Sequence, residues 1–195
     1  MKEAPAVFDK TLKEHMDCFK TLDGLRDPIN EAANTILSAL MAGKKILICG
    51  NGGSASDAQH FAAEIVGRFT RERKAWPAIA LTTDTSILTA VANDYGYDTI
   101  FERQVESLGQ PDDVLIGIST SGNSPNVVKA IEQAKKTDMA TIALTGNNGG
   151  IMSEAVDTAV IIPTQITARI QEAHIFILHF WADTVEAALL AEEGS

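Results

Sequence analysis

The stretch Lys45–Phe69, KILICGNGGSASDAQHFAAEIVGRF, decides the fold. Lys45 to Cys49 is a short apolar run of the kind parallel strands show, because a strand covered on both faces has no polar side to alternate with. Asn51, Gly52 and Gly53 then let the backbone turn sharply at little steric cost, and Ser54 is expected to cap a helix. Unpaired N–H groups at that helix start, together with the positive end of its dipole, suit an anion or a sugar oxygen. On the helix, His60 and Glu64 stand four residues apart, so both leave one face with Cβ atoms about 5–6 Å apart. Imidazole and carboxylate can converge there. The plainer reading is a helix-face ion pair worth only ~0.2–0.5 kcal/mol.

Outward from this segment, short apolar runs alternate with helical patterns. Strands are predicted at Ala78–Thr82, Val114–Ile118, Ala140–Leu144 and Thr158–Ile162. Helices are predicted near Asp84–Val91, Phe101–Leu108, Pro125–Lys136 and Ile151–Ala155. That alternation implies an α/β fold, a three-layer αβα sandwich around a central five-stranded parallel sheet, with ligands at the carboxyl ends of the strands. Two helices precede the first strand. Phe8, Leu12, Met16, Phe19 and Leu22 recur at spacings of three and four, and a second helix runs Ile29–Met41, with Pro28 at its first position and Gly43 as its stop. The last helix, about Gln165 to Ala191, is apolar around much of its circumference at Ile175, Phe176, Ile177, Leu178, Phe180 and Trp181. It has to be buried, by the N-terminal helix and by another subunit, so a homo-oligomer is expected.

Composition narrows the function classes. With 195 residues, 45% of them hydrophobic, the chain can bury one substantial core without a second domain. Sixteen Lys and Arg against 26 Asp and Glu leave a net charge of −10, which argues against broad attraction to nucleic acid or an anionic membrane. The basic run Arg68, Arg71, Arg73 and Lys74 reads as an ordinary solvated loop. Two cysteines, Cys18 and Cys49, fit a reducing cytosol rather than a disulfide scaffold. No leader is apparent at the start, and IFILHFWA is far short of the ~20 residues that span a bilayer, so a cytoplasmic protein is expected.

After the strand Val114–Ile118 come Ser119, Thr120, Ser121, Gly122, Asn123 and Ser124, with Pro125 opening a helix. Four hydroxyls and a helix start can surround a phosphate with neutral donors. The spacing matches neither a P-loop nor the dinucleotide fingerprint, so no nucleotide cofactor is expected. On spacing alone, a phosphate cradle and a serine-rich capping turn stand at even odds.

Taken together, GNGGS at 50–54, HFAAE at 60–64, ISTSGNS at 118–124 and RIQEAH at 169–174, with His179 beyond, resemble the phosphoheptose isomerases, enzymes of the sugar isomerase (SIS) domain class. The resemblance runs from about residue 5 to 190 in the family's order and spacing. It implies a single SIS domain over 1–195, with N-terminal helices of about 5–42 packing in a cytoplasmic homotetramer. It also implies interconversion of D-sedoheptulose 7-phosphate and D-glycero-D-manno-heptose 7-phosphate by enediol-type proton transfer, feeding the heptose of lipopolysaccharide cores. Carried over by motif, Asn51, Gly52, Gly53, Ser54, Asn93, Asp94 and Gln171 contact the sugar, Ser119, Thr120, Ser121 and Ser124 the phosphate, and Glu64 and His179 move the protons. Zinc, one per subunit, falls to His60, Glu64, Gln171 and His179.

Each assignment has a competitor in the bare sequence. Without the motif, His179 between Leu178 and Phe180 reads as a satisfied core histidine, and Asn93–Asp94 as a helix-ending polar pair. Gln171 is an unusual zinc ligand, and direct coordination of Glu64 lowers its strength as a base. Where family members can carry an acid just before RIQE, this chain has Ala168, which touches ligand detail and substrate choice. Residues 77–94, PAIALTTDTSILTAVAND, also resemble the replication-initiator-associating SIS protein, a non-catalytic adaptor. That relative lacks the glutamate and the final histidine, and both are present here. A regulatory domain separated from DNA-binding machinery is a weaker third reading, disfavoured by the acidic balance.

Overall fold

The computed structural model describes residues 3–193, so the first two and last two residues of the expected 1–195 domain lie outside it. In chain order the elements are α1 (Glu3–Thr21), a 3-10 turn (Leu22–Leu25), α2 (Arg26–Met41), β1 (Ile46–Gly50), α3 (Gly53–Val66), β2 (Ala78–Ala80) and α4 (Thr85–Tyr95). A second 3-10 turn (Tyr97–Thr99), α5 (Glu102–Leu108), β3 (Val114–Ser119), α6 (Pro125–Lys136), β4 (Ala140–Gly146), α7 (Gly150–Ala155), β5 (Thr158–Ile162) and α8 (Thr167–Glu193) follow. The five strands are all parallel, in the order β2-β1-β3-β4-β5. Side chains alternate between the faces, as the pleat requires. Ile46, Ile48, Ile116 and Leu144 face α2, α3 and α8, whereas Leu47, Cys49, Leu115 and Ala143 face α5, α6 and α7. The expected αβα sandwich is the observed one.

The connection after β1 goes to one face and that after β3 to the other. The crevice between their carboxyl ends is therefore the topological switch point where such sheets bind ligands. In register, Gly50 lies opposite Ile118, and Ser119 opposite Thr145. The glycine turn and the serine-rich turn are thus neighbours because their strands are neighbours.

Two local expectations are corrected. Ser54 is not the cap of α3. Gly52 takes that position at φ 57°, and Ser54 sits one residue inside the helix, 3% exposed, with its N–H donated to the Asn51 carbonyl at 3.0 Å. Pro28 is the third rather than the first residue of α2, a position tolerated because the N–H groups of a helix's first turn have no intrahelical acceptor.

Among the described residues α8 is long and apolar enough to cross a membrane, by length and composition only. Its packing makes it a core helix instead. Ile170, Ala173, Ile177, Leu178, Trp181 and Val185 are buried against the sheet and its neighbours, and the Trp181 indole donates to the Ile29 carbonyl at 2.9 Å. The N-terminal helix covers part of it as expected. Arg169 donates to the Thr11 carbonyl at 2.7 Å, His15 pairs with Glu172 at 2.8 Å, and Phe19 meets Phe176 edge-on at 5.4 Å. Val7, Phe8, Leu12 and Met16 on α1 and Phe176 on α8 stay exposed.

Candidate active site

α3 and α8 lie side by side and run in the same direction. Gln171 packs on Gly53, His179 on His60, and Trp181 meets Phe61 with ring centres 6.2 Å apart. The eight residues from Gln171 to His179 and the seven from Gly53 to His60 each advance the helix by about 10–12 Å. The two motifs therefore meet at two levels of one helix–helix seam.

At the upper level, the Nε2 atoms of His60 and His179 are 2.8 Å apart and the ring centres 5.0 Å. Glu64 Oε1 is 3.4 Å from the same His60 nitrogen. A hydrogen bond between two neutral imidazoles requires unlike tautomers, one ring donating Nε2–H and the other accepting there. His179 is half-buried, with the Phe69 ring 5.5 Å away, and its partner is a second histidine. It is not the satisfied core histidine of the plainer sequence reading. The core histidine is His174: fully buried, it bonds the Thr145 carbonyl through Nε2 at 3.0 Å while its Nδ1 is left without a partner, and burial pushes its pKa down to about 4.

At the lower level stand the two turns. Ser119 Oγ lies 2.8 Å from Ser124 Oγ and 3.3 Å from Ser121 Oγ, so three hydroxyls point into one spot, beside the start of α6. Thr120 is half-buried next to them, its carbonyl accepting from Asn147 at 3.4 Å. Gly122, at φ 66°, lies so close to the Gly149 carbonyl that no side chain fits. Asn51 and Asn126 form a reciprocal amide pair, each Nδ2 donating to the other's Oδ1 at 2.9 Å, and the Tyr97 hydroxyl adds a 3.1 Å bond to Asn51 Oδ1. Asn51 Oδ1 is thus taken up by two donors, whereas its Nδ2 has one N–H outside the pair. Asn93 and Asp94 are exposed near the end of α4 and bond each other at 2.8 Å. Among the described residues no bond joins them to the imidazole cluster, and Tyr97 is the element of that segment that reaches the glycine turn.

Sequence reasoning missed four contributors. Asn126 and Tyr97 carry no motif signal of their own. Asp57 had one, since 57, 60 and 64 follow the i, i+3, i+7 stripe of a single helix face. Its Oδ2 is buried without a partner, and burial pushes its pKa up to about 6 against the pull of His60. Arg73 corrects the solvated-loop reading of the basic run. Its side chain is 1% exposed, bonds the wholly buried Glu186 at 3.1 Å and stacks 3.8 Å above Trp76.

Two imidazoles and a carboxylate are donors that zinc accepts, and the Gln171 amide is an unusual fourth that stands one level down the seam, against Gly53. The fit is in chemistry more than in spacing. Tetrahedral zinc with bonds of ~2.0 Å holds its ligand atoms roughly 3.3 Å apart, so the histidine nitrogens at 2.8 Å have to part by about half an ångström. Among the described residues no trio of His, Cys, Asp or Glu is already spaced as a metal cage.

Comparison with known proteins shows the family of the chain. The SIS domain family model matches residues 12–146, and the chain belongs to the SIS domain family. Phosphoheptose isomerases of Bordetella avium and Helicobacter pylori strain P12 are 54% and 55% identical to it, over 90% and 92% of this chain and 90% and 94% of theirs. The solved phosphoheptose isomerase of Neisseria gonorrhoeae superposes with a TM-score of 0.85 at 46% identity, covering 95% of this chain and 98% of that one. Within the SIS class, this chain is a member of the phosphoheptose isomerase family, a family of sugar-phosphate isomerases, and the adaptor reading is not favoured.

Proposed function

We propose that this protein interconverts D-sedoheptulose 7-phosphate and D-glycero-D-manno-heptose 7-phosphate, supplying heptose for the lipopolysaccharide core. The observation that carries the reading is the convergence of Glu64, His60 and His179, from helices more than a hundred residues apart in sequence, above a hydroxyl-lined turn. Aldose–ketose isomerisation moves a proton between adjacent carbons while a carbonyl and a hydroxyl exchange places. Glu64 takes the carbon-bound proton and returns it to the neighbouring carbon. His179 moves the oxygen proton and helps to open the ring. Each positioned acid or base contributes ~10² to 10⁴ in rate. Ser119, Thr120, Ser121 and Ser124 hold the phosphate with neutral donors, Asn51 offers its free N–H to a sugar oxygen, and Gly52, Gly53, Ser54, Asn93, Asp94 and Gln171 line the remainder.

His60, Glu64, Gln171 and His179 would hold one zinc per subunit, which when bound polarises the carbonyl oxygen. The exposed apolar stripe of α1, continued by Phe176, suits burial against further copies of the chain in a homotetramer. The net charge of −10 and the reduced, buried cysteines fit a cytoplasmic protein without nucleic-acid or membrane partners.

The test is turnover of sedoheptulose 7-phosphate by the purified protein and by Glu64→Gln and His179→Ala, with metal analysis and assay before and after chelation. Loss of turnover in both variants supports the assignment. Unchanged turnover in both sinks it. Retained activity in the metal-free protein removes zinc from the chemistry.

A further inference from the structure

Glu186 lies two turns beyond His179 on α8, wholly buried between the buried Val185 and Leu189, and the proposed chemistry does not use it. A buried carboxylate is costly unless its oxygens are satisfied, and these are. The N–H groups of three successive residues, Phe69, Thr70 and Arg71, donate to it at 2.9, 2.9 and 2.8 Å, and the Thr70 hydroxyl donates at 3.1 Å. Arg73 adds its Nε at 3.1 Å. Burial pushes the Glu186 pKa up, but these donors outweigh it and hold the carboxyl ionised down to about 2.

The same contacts lead to both proposed proton-transfer residues. Beyond its bond to Glu186, the Arg73 guanidinium donates to four carbonyls at the end of α3 and the loop after it: Glu64 at 2.6 Å, Ile65 at 2.9 Å, Gly67 at 3.1 Å and Lys74 at 2.9 Å. It caps the helix turn that carries the Glu64 carboxylate. The backbone of Phe69 is pinned by Glu186, and its ring lies 5.5 Å from the His179 ring at 32°. One buried charge thus fixes the backbone beneath the carboxylate and the ring beside the imidazole.

We propose that Glu186 is a positioning residue for the isomerase reaction, aligning Glu64 through Arg73 and His179 through Phe69. The inference rests on the assignment of Glu64 and His179 as the acid–base pair. Residues that orient reacting side chains from behind change rates by ~10 to 100-fold when removed, so the effect belongs in kcat. The phosphate turn, at the lower level of the seam, shares none of these bonds, and KM should move less than threefold.

The experiment compares Glu186→Gln, Glu186→Asp and Phe69→Leu with the parent in steady-state kinetics on sedoheptulose 7-phosphate, together with amide hydrogen exchange of residues 69–71. Glu186→Gln places an amide NH₂ against backbone donors and should lower kcat about 10- to 100-fold, with protection at 69–71 lost. Glu186→Asp, which keeps the charge, should recover part of kcat. Phe69→Leu leaves the carboxylate's bonds in place, so protection stays while kcat falls about tenfold. If Glu186→Gln does not fold, Phe69→Leu decides, and parental kcat in that variant overturns the proposal. So does parental kcat in a folded Glu186→Gln, or a rise in KM with kcat unchanged. A parent protein that does not turn over the sugar defeats the functional reading instead, while the exchange pattern still reports whether Glu186 holds the loop.

Discussion

Gly53→Ala separates stability from activity at one atom. Gly53 is the first residue of α3, and it is not among the glycines with positive φ. Alanine is therefore compatible with its backbone and gains roughly 0.4–1 kcal/mol by restricting the unfolded chain. The added Cβ, however, lands on the Gln171 amide, whose Cδ lies 2.9 Å from that point and whose nitrogen is closer still. Restoring van der Waals contact pushes the amide back by about 1 Å. A misplacement of that size costs about 10²-fold in rate when the displaced group orients the reacting atoms, or about 2.7 kcal/mol of transition-state stabilisation. The assay is kcat/KM for sedoheptulose 7-phosphate beside a thermal melt of the same preparation. Expected are a melting temperature at or above the parent's and a kcat/KM about a hundredfold lower. Activity within threefold of the parent, in a protein that melts no earlier, would refute a role for Gln171 in holding the sugar or the metal.

Asn126→Ala should leave the Asn51 amide without its partner, costing about 1–3 kcal/mol and raising KM about tenfold as Asn51 loses its orientation. Urea titration and steady-state kinetics read the two effects, and an unchanged KM would show that the amide pair is structural only. His174 gives a pH signature. Its folded pKa, about 4, lies below the unfolded value of about 6.5. The stability it contributes is fully present above pH 6.5 and is lost as pH falls toward 4, by roughly 2 kcal/mol between pH 7 and 4.5. Denaturant midpoints should fall over that window in the parent and less so in His174→Asn, and parallel profiles would remove His174 from the acid response.

The strands were legible because burial leaves them as short, mostly apolar runs, wholly buried in the central β1 and β3. Predicted Thr158–Ile162 and Pro125–Lys136 are the observed β5 and α6. The stripe His60–Glu64 was legible because helical periodicity puts residues four apart on one face. Capping was less so: Ser54 has the right side chain, but the backbone conformation at Gly52 decided where α3 begins.

The sequence alone determined the alternation of elements, the two hydroxyl- and glycine-rich turns, and which side chains could do proton chemistry, since all of these depend on neighbours within a few residues. Only the tertiary structure decided that α3 and α8 run side by side in register, placing His179 on His60 and Gln171 on Gly53. It alone brought Asn126 and Tyr97 onto Asn51 and paired Arg73 with Glu186. Those pairings join residues 46 to 119 positions apart. Contacts at such separations are set by how helices pack across a shared sheet, and no local periodicity encodes them.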